Sequence, residues 1–204
     1  MQIVCLDLEG VLAPEIWIEF AAASGIEALR RTTRDEPDYD VLMRYRLEIL
    51  DRKGIRLPDI QRVVDGMGPL PGAREFVDAL RSRYQVVILS DTFYEFAQPI
   101  MRQLGWPTLM CHRLLVDPDG RVTGYRLRMK DQKRSAVAAF RALNFATVAA
   151  GDSYNDTAML AEADAGIFFR PPERIIAEFP QFPVTREYGE LRRAIDEAVA
   201  RLGR

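Results

Sequence analysis

Acidic and hydroxyl residues stand where the apolar runs of this chain end. Ile3-Val4-Cys5-Leu6 runs into Asp7 and, two residues on, Glu9 and Gly10. Tyr84 to Leu89 runs into Ser90-Asp91-Thr92, and Ala146 to Ala150 into Gly151-Asp152-Ser153-Tyr154-Asn155-Asp156. Continuous apolar runs of this length read as strands buried on both faces. In an open parallel sheet, ligands bind at the carboxyl ends of the strands. Two carboxylates at such an edge repel each other and are tolerated mainly when a cation sits between them.

The chemistry these residue types can perform is phosphoryl transfer. A carboxylate that attacks phosphorus must be ionised and rigidly held, as Asp7 is at the end of a strand. The phosphoryl oxygens need donors, and Ser90, the amide of Asp91 and Lys133 are candidates. Mg²⁺ takes one or two carboxylates with phosphate and water, a role that suits Asp7 and Asp152. Glu9 is placed to protonate a leaving oxygen and then deprotonate water. Each residue also has a plainer reading: Ser90, Asp91, Ser153 and Asn155 are good helix N-caps, and Lys133 can be a solvated lysine. Capping does not account for all of them falling at one edge of one sheet. Lys130 is a rival to Lys133.

The elements that position these residues alternate between strand and helix, the pattern of a parallel α/β sheet with right-handed crossovers. Helical patterns cover 15–23, with a continuation over 26–32, then 38–53 and, opened by Pro58, 58–64. Further helices are expected over 71–82, 93–104, 131–144, from 157 to 163, and over 186–202. Strands are expected over 84–89, 146–150 and 165–169, and 108–116 and 121–129 flank the turn signal Asp117-Pro118-Asp119-Gly120. No strand-like run falls between Val11 and Pro69, so a small helical bundle is inserted after the first strand. The expected fold is a Rossmann-like parallel sheet with a helical cap and a β-hairpin, the core being 1–12 and 70–204 and the cap 13–69.

Composition narrows the function classes. A chain of 204 residues, 48% hydrophobic and 28% charged with net charge −2, is expected to be a soluble globular protein, with neither a nucleic-acid nor a membrane partner. No run reaches the ~18 apolar residues of a membrane span, and no secretory signal is read at the start. Two cysteines in apolar runs, Cys5 and Cys111, fit a reducing cytoplasm. His112, the single histidine, reads as structural.

Asp7-x-Glu9-Gly-Val, Ser90, Lys133 and Gly151-Asp152-Ser-Tyr-Asn155-Asp156 together resemble the four motifs of the haloacid-dehalogenase superfamily, in chain order and over nearly the whole chain. The insert is similar to the cap of phosphoserine phosphatases. The resemblance implies Asp7 as nucleophile, Glu9 as acid/base with its backbone carbonyl on Mg²⁺, Asp152 as metal ligand and Asp156 behind it. It also implies Ser90 and Lys133 on the phosphate with Asn155 close by, and Glu15 and Arg46 on the ammonium and carboxylate of phosphoserine; Asp91, outside the family pattern, is a further substrate-binding candidate. Glu9 replaces the usual Asp, and Asp91-Thr92 replaces small residues. Both features resemble a subgroup of bifunctional phosphoserine phosphatases that also pass the phosphoryl group to homoserine. A homodimer is left open. The competing readings are a phosphatase for another small phosphomonoester, a receiver-type signalling domain phosphorylated on Asp, and a non-catalytic binding module. A phosphoacceptor on the first strand and a long cap argue against the receiver, and competent residues at every motif argue against the binding module.

Overall fold

The computed structural model describes residues 1–32, 35–36 and 38–203; positions 33, 34 and 37 of the expected cap, and residue 204, lie outside the described residues. Seven strands form one sheet in the order β4-β3-β2-β1-β5-β6-β7. They are β1 (Gln2–Leu6), β2 (Gln85–Phe93), β3 (Thr108–Val116), β4 (Val122–Arg126), β5 (Ala146–Gly151), β6 (Ala165–Phe169) and β7 (Val184–Thr185). All neighbours pair parallel except β3 and β4, the expected hairpin. With β1 between β2 and β5, the ends carrying Asp7, Ser90 and Asp152 lie side by side at the carboxyl edge.

Between β1 and β2 the chain forms α1 (Ile16–Ser24), a 3₁₀ turn (Glu27–Arg30), α2 (Tyr39–Arg52), α3 (Leu57–Met67) and α4 (Ala73–Arg81). The first helix does not continue past Gly25, which takes a left-handed φ of 67° and caps it. Asp38 starts α2 by accepting the amides of Asp40 and Val41 at 2.9 and 3.1 Å. The remaining helices are α5 (Tyr94–Gln103), α6 (Gln132–Ala142), α7 (Thr157–Glu162), α8 (Glu173–Glu178) and α9 (Tyr188–Leu202).

The insert packs onto the sheet layer through a shared apolar core that joins Leu8, Leu12, Phe20, Met43, Ile60 and Val64 to Phe93, Phe96 and Ile100. The other face of the sheet buries Cys5, Val87 and Leu89 against Val137, Met159 and Phe168. Pro99 inside α5 has no N–H for the Glu95 carbonyl, and Gln61 of α3 donates to that carbonyl at 2.7 Å. A backbone defect in the core is thus satisfied by the insert.

Several boundaries differ from expectation. Strand β4 stops at Arg126 rather than 129, and α3 runs on to Met67. Strand β2 extends through Phe93, with a shift of register against β3: Leu89 faces Met110 and Phe93 faces His112. The three residues from Ser90 to Thr92 therefore form a bulge, which ends a run that the pattern alone stops at Leu89. Both α8 and β7 went unanticipated, because six and two residues are too few to show a period. No helix of the described residues is long and apolar enough to cross a membrane.

Candidate active site

Asp7 follows β1 and is buried, its amide donating to the Ala150 carbonyl of β5 at 2.9 Å. Lys133, in the first turn of α6, places Nζ 2.9 Å from Asp7 Oδ1, 2.8 Å from Asp156 Oδ1 and 3.8 Å from Asp91 Oδ2. Its rival Lys130 is exposed in the loop before α6. Burial works against the Lys133 ammonium, but Asp156, Asp7 and Asp91 outweigh it and hold the lysine charged. Burial raises the Asp7 carboxyl, and the nearby Asp156 and Asp152 raise it further, while Lys133 opposes both.

Carboxylate oxygens of Asp7, Asp152 and Asp156 lie within 4.8 Å of one another. Asp156 is fully buried and its oxygens are engaged: Oδ1 by Lys133, Oδ2 by the amides of Asp152 and Ser153 and by Ser153 Oγ. Asp7 and Asp152 remain to meet a cation. Gly10, at φ 81°, lets the chain pass over Asp152, whose Cγ would lie 2.5 Å from any added Cβ. Burial and Asp156 push the Asp152 carboxyl up to about 7. One lysine among crowded, desolvated acids leaves negative charge to neutralise, so this donor set fits a hard divalent cation.

Glu9 accepts the Ile16 amide at 2.8 Å, at the start of α1. Burial and the charge of Glu15 push its carboxyl up to about 8, although the Ile16 amide, Lys133 and Arg46 pull the other way. Near neutral pH such a group is a proton donor. Ser90 is buried, and its Oγ accepts the Thr92 amide at 3.2 Å. Asp91 is engaged by Gln132 Nε2 at 3.1 Å and Asn155 Nδ2 at 3.2 Å, with His112 Nε2 at 3.6 Å. Burial alone raises the Asp91 carboxyl; Lys133, His112, Gln132 and Asn155 together outweigh it and keep the group ionised.

A cavity of about 430 Å³ joins these groups to the insert, lined by Asp7, Glu9, Ser90 and Lys133 together with Glu15, Trp17 and Arg46. Arg46 of α2 is buried, its guanidinium stacked 4.5 Å from the centre of the Trp17 ring. One terminal nitrogen donates to the Arg31 carbonyl at 2.6 Å, whereas Nε is buried with no partner among the described residues. An unpaired buried donor costs about 1–3 kcal/mol, and an anion in the cavity would relieve that cost. Glu15, at the N-terminal end of α1, is exposed at the cavity wall.

A family model described as haloacid dehalogenase-like hydrolase matches residues 1–164. Phosphoserine phosphatase ThrH of Pseudomonas aeruginosa is 62% identical over 201 residues, covering 98% of both chains. A phosphoserine phosphatase of Pseudomonas syringae is also 62% identical, over 97% of this chain and 84% of that one. The chain belongs to the haloacid dehalogenase-like hydrolases, in the phosphoserine phosphatase family. Among solved structures, a phosphoserine phosphatase from T. onnurineus superposes with TM-score 0.67 at 27% identity, covering 93% of this chain and 92% of that one. A phospho-aspartyl intermediate analogue of phosphoserine phosphatase reaches TM-score 0.76 at 21% identity, covering 95% and 98% respectively, a likeness of fold.

This haloacid dehalogenase-like hydrolase surrounds its motif residues with others that no motif signals. Trp17 supports Arg46, Tyr39 OH donates to the Asp91 carbonyl at 3.4 Å, and Gln132 holds the bulge of β2. His112 is buried in β3 against Asp91, and its Nδ1 accepts the Arg128 amide at 3.1 Å. The structural reading of His112 therefore keeps a link to the site. Arg174 reaches the cavity wall from α8, the helix that sequence pattern missed, with its guanidinium 5.0 Å from the centre of the Tyr154 ring. A lone His beside a strand was a signal available for one of these; the rest had none.

Proposed function

We propose that this chain hydrolyses O-phospho-L-serine to L-serine and phosphate through an aspartyl-phosphate on Asp7, with Mg²⁺ held by Asp7, Asp152 and the Glu9 carbonyl. The observation that carries the reading is one cavity lined both by the buried Asp7–Lys133 pair and by the Arg46 guanidinium. A phosphate end and a carboxylate end are thereby offered to one small molecule, and Glu15 complements its ammonium. Residues 13–69 act as the cap that closes on it.

Asp7 Oδ attacks phosphorus as the bond to the serine oxygen breaks, and Glu9 gives that oxygen its proton. Glu9, now a carboxylate, takes a proton from water, whose oxygen attacks the same phosphorus and releases Asp7. Lys133, Ser90 and Asn155 meet the phosphoryl oxygens, while Asp156 orients Lys133. Bound Mg²⁺ supplies charge stabilisation for the phosphoryl oxygens and the attacking carboxylate.

A second reading concerns the acceptor. A cavity of about 430 Å³ does not exclude an acceptor one methylene longer than serine, so homoserine can take the place of water and leave as O-phosphohomoserine. Asp91 serves this indirectly: its carboxylate faces Lys133 and Asn155 on the phosphate side rather than an acceptor ammonium.

The reading is tested by measuring phosphate release from a panel of phosphomonoesters, with and without Mg²⁺ after chelation. Phosphoserine should give the highest kcat/KM, and chelation should abolish turnover until Mg²⁺ is restored. Preference for another ester would overturn the substrate assignment, and full activity in chelator would overturn the metal.

A further inference from the structure

Ser90 opens the stretch of β2 in which the register of the sheet lapses. The ladder between β1 and β2 ends at Leu6 opposite Ile88, and that between β2 and β3 breaks after Leu89 and resumes at Phe93. Ser90, Asp91 and Thr92 thus lie outside the paired register on both sides. Buried backbone polar groups need partners, and here the partner is a side chain. Gln132 Nε2 donates to the Ser90 carbonyl and, at 3.1 Å, to Asp91 Oδ1. Its Oε1 accepts from Arg128 Nε and Nη2 at 3.1 and 3.0 Å, which uses both ends of the amide.

Gln132 and Lys133 are consecutive, yet both are buried. Asp131 precedes them at φ 49°, in the left-handed region, and α6 meets the sheet edge with its first turn. The glutamine therefore grips the β2 bulge from the same helical turn that delivers the lysine. The grip continues outward, since Arg128 also bonds the ring of His112 through its amide.

We propose that Gln132 is a positioning residue for the phosphate pocket. It fixes the Ser90–Asp91 bulge relative to Lys133, and through Asp91 it fixes the amide of Asn155. It touches the groups that meet the phosphoryl oxygens, not the amino-acid end of the cavity. The proposal rests on the phosphatase reading and deepens it.

The test compares Gln132→Met, which keeps the volume and loses every side-chain hydrogen bond, with Gln132→Glu, which keeps the acceptor for Arg128 and loses both donors. Thermal melts establish folding, and steady-state kinetics use phosphoserine and p-nitrophenyl phosphate, with inorganic phosphate as inhibitor. Both variants should lose between about tenfold and a hundredfold in kcat/KM, a range set by misplaced reacting groups. The loss should be alike on the two substrates, and phosphate inhibition should weaken in parallel. A folded variant whose kcat/KM and phosphate inhibition stay within twofold of the parent overturns the proposal. So does a loss confined to phosphoserine, and so does failure of both variants to fold, which would make Gln132 a residue of stability alone. A parent that hydrolyses p-nitrophenyl phosphate but not phosphoserine would sink the substrate assignment instead, leaving the Gln132 comparison readable on the synthetic ester.

Discussion

Glu9 Oε1 and the amide of Ile16 are hydrogen-bonded at 2.8 Å, which ties the second acid of the site to the first turn of α1. The contact spans seven residues of chain and leaves the carboxyl pushed up to about 8. A carboxyl that holds its proton near neutral pH thus meets the start of α1 in one side chain. Glu9→Gln keeps the size but cannot give or take the proton. Turnover of phosphoserine should fall by about 10²–10⁴-fold, the usual worth of general acid–base catalysis. p-Nitrophenol leaves without needing a proton, so a rapid burst of it should survive in stopped-flow traces while the steady state collapses. Loss of the burst as well would remove Glu9 from the leaving-group step.

Asp7 is the proposed nucleophile, and Asp7→Asn should lose on the order of 10⁴-fold or more in kcat, since nothing nearby replaces a covalent nucleophile. The neutral amide also relieves repulsion with Asp152 and Asp156, so the variant should melt no lower than the parent. Retention of most activity, with deamidation excluded by mass spectrometry, would mean that another group attacks phosphorus.

Arg46 is stacked on Trp17 and bonded to the Arg31 carbonyl, and its side chain lines the cavity. Arg46→Lys keeps the charge and loses the planar fork. A charge-assisted hydrogen bond is worth about 1.5–3 kcal/mol, so kcat/KM for phosphoserine should fall on the order of 10- to 100-fold. p-Nitrophenyl phosphate has no carboxylate and should be turned over nearly as before. Equal losses on both substrates would take Arg46 out of substrate recognition.

The acceptor reading is checked by partition. With labelled phosphoserine and rising homoserine, label should move from inorganic phosphate into O-phosphohomoserine. A hydrophobic contact separates molecules that differ by one methylene by only ~1–3 kcal/mol, and a bound hydroxyl has the advantage of proximity over bulk water. If all label remains in inorganic phosphate at millimolar homoserine, the chain is a hydrolase alone.

The carboxyl edge of the sheet was legible in the sequence because each central strand is an apolar run that stops at a polar residue. Burial on both faces demands the run, and ligand chemistry ends it at Asp7, Ser90 and Asp152. The absence of strand pattern over 13–69 likewise exposed the helical insert. What the sequence could not decide is which side chains meet across that edge. Family-like spacing before residues 135–140 favours Lys133 over Lys130, but it is the end-on approach of α6 that buries Lys133 against Asp7 and leaves Lys130 exposed. Gln132, Tyr39, Trp17 and Arg174 carry no local signal, since their roles depend on contacts with elements remote in the chain. The bulge at Ser90–Thr92 is of the same kind. Periodicity reports which face of an element is apolar, whereas a shift of register depends on the strand beside it.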